Sequence, residues 1–148
     1  MRNTALGAED HMTDNVQIVK NLYQAFGSGD VGAVLGAMDE KIEWMEAEGF
    51  LYADGNPYIG PAAVASGVFQ RIIMDAENFA VSPSTFIGDG DSVVALGRYT
   101  GRMRATGIAV DAQFAHVWRL RDGKITGFQQ YTDTYQWRVA AGAVAHGV

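Results

Sequence analysis

A chain of 148 residues with 48% hydrophobic and 19% charged residues can bury one sizeable core, which excludes disorder and a second ordinary domain. A net charge of -6, with 11 scattered basic residues, excludes a nucleic-acid partner, because that affinity comes from neutralised phosphates. Cysteine is absent and only three histidines occur, so disulfides, thiolate sites and multi-histidine metal centres drop out; no metal or organic cofactor is expected.

The first residues, MRNTALGAED, lack a basic stretch followed by an apolar one, so no signal peptide is expected. No apolar run approaches the roughly 20 residues of a membrane helix, which predicts no membrane partner and a cytoplasmic protein. Residues 1–12 are polar or small and read as a flexible arm that contains His11. Thr13 or Asp14 can cap a helix bearing Val16, Val19, Leu22, Tyr23 and Phe26 at helical spacing, ended by Gly27-Ser28-Gly29. Asp30 can cap a second helix with Val31, Val34, Leu35 and Met38 along one side. The segment GSGDVG (27–32) matches GxGxxG by letter but follows a helix rather than a strand, so it is not a nucleotide loop.

Lys41–Glu46 alternates as a strand, with Ile42, Trp44 and Glu46 on one face. Ala47–Gly60 reads as a long loop, of the kind that walls a site, and Pro61 opens a third helix with Val64, Val68, Phe69 and Ile72. The period then changes to two. Strands are predicted near 77–87, 91–103, 108–121 and 124–135, with turns at Asp89-Gly90, Thr106-Gly107 and Asp122-Gly123. The domain then spans 13–137, and residues 138–148, including His146, form a tail without strong period. Helices followed by an antiparallel meander define an α+β domain, helices on one face of a curved sheet.

The last hairpin, FAHVWRLRDGKITGFQQYTDTY, carries the main functional clue. A two-residue Asp122-Gly123 turn pairs residues whose numbers sum to 245, such as His116 with Gln129 and Phe114 with Tyr131. Phe114, His116, Trp118, Gln129, Tyr131 and Asp133 then share one face, and Gln113, Arg119, Arg121, Gln130 and Thr132 the other. A two-residue Thr106-Gly107 turn, with partners summing to 213, places Tyr99 beside Phe114 and Gly97 beside His116, which leaves room at the ring. A histidine and a carboxylate on an otherwise aromatic face are unusual for a plain core.

The order of elements, with LYQAFGSGD in the first helix, IEWMEAE in the first strand and FAHVWRLRDGKITGFQQYTDT at the end, resembles the SnoaL-like branch of the NTF2-like superfamily from about residue 14 to 137. The resemblance implies a cone of three N-terminal helices on a curved, mixed, mostly antiparallel sheet, with a pocket inside. Its members include polyketide cyclases, ketosteroid isomerases, scytalone dehydratase and limonene-epoxide hydrolase, beside non-catalytic binding and dimerisation modules, so fold alone does not set function. By the resemblance, His116 occupies the position of an oxyanion-hole acid and Glu46 that of a general base. Asp133 takes the position of a late-strand cyclase acid. Leu22 stands where the isomerases place a tyrosine, with Tyr23 about 100° further round the helix. The epoxide hydrolase set is incomplete, and the dehydratase's second pocket histidine is missing.

The residues expected to carry chemistry are therefore Asp133 or Glu46 as base and His116 as acid or oxyanion donor. Trp44, Tyr99, Phe114, Trp118, Gln129, Tyr131 and Tyr23 are the expected substrate contacts. A lone histidine on an apolar face is as readily structural, and the aromatic residues taken singly are more often core. The expected function is acid/base chemistry without a cofactor on a small apolar carbonyl or epoxide compound: isomerisation, cyclisation, dehydration or epoxide opening. The competing readings are a pocket that binds without turnover and a structural dimer. A homodimer through the outer sheet face is expected in any case.

Overall fold

The computed structural model describes residues 4–144, with side chains from residue 14 onward. The ends of the expected arm and tail, His146 included, lie outside the described residues, and His11 falls where only the backbone is described. Helix α1 spans Thr4–Gly27, so it begins well before the Thr13 or Asp14 cap expected, and residues 4–12 continue the helix rather than form an irregular arm. Its buried side is Val19, Leu22 and Tyr23, at the predicted spacing. Helix α2 (Val31–Gly36) is capped by Asp30, whose carboxylate accepts from the Ala33 backbone N–H at 3.1 Å.

Strand β1 (Met38–Met45) leads through the loop, which holds a short 3-10 turn at Ala53–Gly55, to the two-residue β2 (Tyr58–Ile59). Helix α3 follows in three consecutive segments: Pro61–Val64 in α form, one π turn at Ala65–Phe69, and Gln70–Asp75 in α form again. Pro61 opens it, where its missing N–H costs nothing. Then come β3 (Ala76–Asp89), β4 (Ser92–Met103), β5 (Ala109–Arg121) and β6 (Lys124–Thr132), and a last helix α4 (Thr134–Ala140) that the strand expected to run to residue 135 had hidden.

The sheet order is β2-β1-β6-β5-β4-β3, antiparallel except where β1 meets β6. It is an open, mixed, mostly antiparallel sheet with helices gathered on one side, the α+β cone expected, and the core fills the space between. Trp118, Ile42, Leu120, Ile125, Val19 and Val64 are each at most 2% exposed there.

Two registers differ from expectation. Between β4 and β5 the partners sum to 211, because a longer loop replaces the two-residue turn: Tyr99 faces Ala112, Gly97 faces Phe114 and Ala95 faces His116. The slip is even, so Tyr99 stays on the face of His116. The room at Gly97 is taken by Phe114, whose Cζ lies 2.7 Å from where a Cβ would stand. Between β5 and β6, Arg121 pairs with Lys124 and Leu120 with Ile125 as expected, with Asp122 and Gly123 at φ 49° and 77° in the turn. One residue further the ladder shifts: Arg119 faces Gly127 and His116 faces Gln130, a sum of 246. Thr126 is the extra residue of a β-bulge, and an odd slip turns every later side chain of β6 over. Phe128 and Gln130 therefore face inward, and Gln129, Tyr131 and Asp133 do not, which corrects the shared face predicted for them.

Candidate functional site

The inward faces of β1, β4, β5 and β6, with α1, α3 and α4, enclose a cavity of about 70 Å³, within a void of about 600 Å³ counted out to the solvent at its mouth. Its wall is overwhelmingly apolar, and its polar groups are few: Tyr23, Glu46, Tyr52, Tyr99, His116, Gln130 and the indole N–H groups of Trp44, Trp118 and Trp137. That composition, mostly hydrophobic with a few placed polar atoms, is that of a small-molecule site.

His116 sits 4% exposed at the centre of a chain of hydrogen bonds. Its Nδ1 lies 2.6 Å from the Tyr23 hydroxyl, and its Nε2 lies 2.5 Å from the Tyr99 hydroxyl. Trp118 Nε1 donates to the Tyr23 oxygen at 2.9 Å, and Gln130 Nε2 donates to the Tyr99 oxygen at 3.0 Å. Gln130 is itself held, since its Oε1 accepts from the Ala47 backbone N–H at 3.0 Å. Phe114 does not line the cavity; it stacks behind the imidazole, ring centroids 3.9 Å apart, and fixes its plane.

Burial pushes the imidazole pKa down to about 3, so His116 is neutral at neutral pH. A proton count follows. Neutral imidazole donates from one nitrogen and accepts at the other. One tyrosine therefore gives its proton to His116, while the other receives a bond from His116 and keeps its own proton free of this chain. Whichever tautomer is present, one phenolic O–H remains to be offered to the cavity. Burial also raises both phenols well above their ordinary pKa, so both stay protonated donors.

Glu46 stands just beyond β1, where Asn56 clamps its backbone: Glu46 N–H donates to Asn56 Oδ1, and Asn56 Nδ2 donates back to the Glu46 carbonyl, each at 2.8 Å. The side chain is 2% exposed. Its Oε2 accepts from Trp44 Nε1 at 3.0 Å, while its Oε1, also buried, has no partner among the described residues. Burial, partly offset by the Trp44 bond and by Arg71, lifts the carboxyl pKa to about 7. A carboxyl group poised near neutrality, with one oxygen unspent, can take up or release a proton inside the cavity.

The loop wall is tied to α3. Tyr52 donates to Asp75 Oδ2 at 2.7 Å, Tyr58 donates to the Tyr52 carbonyl at 2.5 Å, and Arg71 pairs with both oxygens of Asp54 at 2.8 and 3.0 Å. The Tyr58 ring lies against Gly55 and Gly67, where any Cβ would overlap it, and Gly67 belongs to the π turn.

Of the residues predicted from sequence, His116, Glu46, Tyr23, Tyr99, Trp44 and Trp118 meet at this cavity, as does Leu22. Tyr23 supplies its phenol from the position after Leu22. Asp133 does not meet them: it is exposed, caps α4 and accepts from the Gln136 N–H at 3.3 Å. Tyr131 is 56% exposed on the outer face, and Gln129 donates to the Gln130 carbonyl at 2.8 Å. The bulge at Thr126 displaced all three. Among the lining residues the sequence reading missed are Gln130, Phe128, Trp137, Tyr52, Phe50 and Phe79. Trp137 was signalled by the Asp133–Gln136 spacing, which is that of a helix cap with its reciprocal amide.

A family profile described as the SnoaL-like domain matches residues 19–128. An NTF2-like protein from Burkholderia thailandensis is 33% identical, with a TM-score of 0.81 over 85% of this chain and 95% of that one. The chain belongs to the SnoaL-like family of NTF2-like proteins. TerC, crystallised with polyporic acid, is 25% identical over 87% of this chain and 98% of that one, with a TM-score of 0.78. A protein of ketosteroid isomerase-like fold from Catenulispora acidiphila, in complex with trimethylamine, shares the fold at a TM-score of 0.71 and 21% identity, over 84% of this chain and 92% of that one. No curated protein matches. Among the described residues no helix is long and apolar enough to cross a membrane, and no group of three or more His, Asp or Glu side chains could hold a metal ion.

Proposed function

We propose that this protein is an enzyme that moves protons on a small, largely apolar carbonyl compound, with Glu46 as the base. The observation that carries this reading is the Glu46 carboxyl: buried in an apolar cavity, lifted to a pKa of about 7, and with Oε1 unpartnered. In the reaction, Glu46 takes a proton from the carbon next to a carbonyl. The electron pair moves onto the carbonyl oxygen, which becomes an enolate. The phenolic proton left over in the Tyr23–His116–Tyr99 chain is the donor for that oxygen, in a site with little water to compete. Where the enolate is conjugated with a second double bond, return of the proton from Glu46 to the far carbon completes an isomerisation. Attack by the enolate carbon on a second carbonyl of the same molecule, whose oxygen then takes the Glu46 proton, gives a cyclisation. His116 acts as a positioning residue, neutral and bonded at both nitrogens. The enclosed 70 Å³ is smaller than a cavity that takes one benzene ring, so a ring compound occupies the wider void that runs out to the mouth. The small organic molecules bound by TerC and by the Catenulispora protein support a ligand-holding cavity in this fold.

The test is exchange of α-protons for deuterium, followed by NMR across a panel of small cyclic ketones and diketones that bind the protein. Exchange of at least one member, lost on Glu46→Gln while its binding persists, supports the assignment. Exchange at the parent rate in Glu46→Gln refutes Glu46 as base, and a panel that binds without exchanging favours the binding-module reading. The outer sheet face, with Ile87, Leu96 and Tyr131 at least 36% exposed, is the surface we assign to a homodimer; a monomer by light scattering removes that assignment.

A further inference from the structure

Two buried side-chain polar atoms of the described residues lack any partner, and both belong to residues that line the cavity. One is the acceptor Glu46 Oε1, used above. The other is a donor, the indole Nε1 of Trp137, on a side chain only 1% exposed. A buried N–H without a partner is uncommon in folded proteins and disfavours the folded state. The other two tryptophans on the cavity wall spend their donors inside the protein, Trp44 on Glu46 and Trp118 on Tyr23.

Trp137 is also not loosely placed. Its ring packs against Phe50, Tyr99 and Phe79, with centroids 5.3, 5.6 and 6.2 Å away. Helix α4 is fastened on either side of it, to β5 and to the loop before β5: Asp111 N–H donates to Gln136 Oε1 at 2.6 Å, Gln136 Nε2 donates to the Asp111 carbonyl at 3.1 Å, and Thr106 donates to the Ala140 carbonyl at 2.5 Å. A rigid wall residue with an unspent donor selects a ligand by the acceptor that the ligand brings. Trp137 lies beyond residue 128, where the match to the family profile ends.

We infer that Trp137 is a specificity-determining contact: its indole N–H donates to an acceptor oxygen of the ligand, so the cavity takes apolar rings carrying a carbonyl and discriminates against the hydrocarbon of the same shape. The inference rests on the proposed ligand-holding cavity but not on Glu46 acting as base. A ligand with a second oxygen satisfies Trp137 with one and the free phenolic proton with the other. Enolisable diketones and hydroxylated cyclic ketones have that pattern.

The experiment uses the full chain labelled with ¹⁵N at the indoles and two probes of matched shape, acetophenone and ethylbenzene. The Trp137 resonance is identified by its loss in Trp137→Phe. Acetophenone is expected to move the Trp137 indole proton downfield and leave the indole protons of Trp44 and Trp118 nearly in place, whereas ethylbenzene moves none of them downfield. Trp137→Phe is expected to weaken acetophenone about fivefold to tenfold, the value of one neutral hydrogen bond, and leave ethylbenzene unchanged. If acetophenone binds without moving the Trp137 proton, or if the substitution weakens both probes equally, Trp137 is only an apolar wall and the inference fails, while the exchange test of Glu46 stands apart. If neither probe binds at millimolar concentration, the ligand-holding cavity fails with it. Should Trp137→Phe not fold, the indole shifts of the parent protein decide alone.

Discussion

Replacing Glu46 by Gln tests the electrostatics of the cavity without any substrate. The carboxyl titrates at 4.5 when solvated and at about 7 in the folded protein. Its folded pKa is raised, so between those values the folded state binds the extra proton, and the group's contribution becomes less favourable as pH rises through the window. Integrating the two titrations, Glu46 costs about 1 kcal/mol at pH 5 and about 3 kcal/mol at pH 8, taking 1.36 kcal/mol per pKa unit. Glutamine has the same shape, can still accept from Trp44 Nε1 and never ionises. Any fixed cost of its amide is the same at both pH values, and the contribution of His116 cancels in the comparison with the parent. Glu46→Gln should therefore gain about 2 kcal/mol on the parent between pH 5 and pH 8. With an m-value of about 2 kcal/mol/M in urea, the difference between the two unfolding midpoints changes by roughly 1 M. Urea unfolding followed by tryptophan fluorescence at the two pH values measures it. Parallel pH profiles for the two proteins would refute the raised pKa, and with it the argument that Glu46 is poised as a base.

His116 works in the opposite direction. Its folded pKa is lowered to about 3, so the unfolded chain binds the extra proton between pH 3 and 6.5. In the parent this loss on acidification is offset by the Glu46 gain, whereas in Glu46→Gln, where position 46 no longer titrates, stability should fall by about 2 kcal/mol from pH 7 to 4.5, read from urea midpoints at pH 7, 5.5 and 4.5. His116→Phe should cost about 2 to 4 kcal/mol, because both tyrosine hydroxyls lose a buried partner, and the urea midpoint reports it. Asp133→Ala should cost about 1 kcal/mol through loss of the α4 cap and leave ketone exchange intact; abolished exchange in a folded protein would restore Asp133 to the site. Gly67→Ala should be strongly destabilising, since its Cβ overlaps the Tyr58 ring, and a melting temperature within 2 °C of the parent would contradict that packing.

Local pattern determined a good deal of this protein. The 3.6 spacing of Val19, Leu22 and Tyr23 fixed the buried side of α1, the period of two fixed β4 and β5, and Asp122-Gly123 fixed the final turn. The alternation of Ile42, Trp44 and Glu46 was enough to aim Glu46 inward, and that of β5 to aim His116 and Trp118. Alternation is a local property, and it survives an even slip of register; Tyr99 kept its place beside His116 even though its partner was misjudged.

What the sequence pattern alone did not decide was β6. Ile125 and Phe128 are both buried although three residues apart, which a strict alternation cannot satisfy, and the strand absorbs the odd residue at Thr126. The same stretch pairs irregularly with β1, where Met38 faces Ile125 but Glu43 faces Gly127, so the position of the bulge is set by two neighbours at once. That one residue carried Asp133 and Tyr131 out of the cavity and Gln130 into it. The pairing of His116 with two phenols is likewise a tertiary fact, since it joins groups from elements far apart in the chain, and so are the unspent oxygen of Glu46 and the unspent indole N–H of Trp137, since only the packing around them decides whether a partner comes within reach. Sequence periodicity assigns a side chain to a face; only the packed structure determines which polar atoms on that face have found partners and which are left for a ligand.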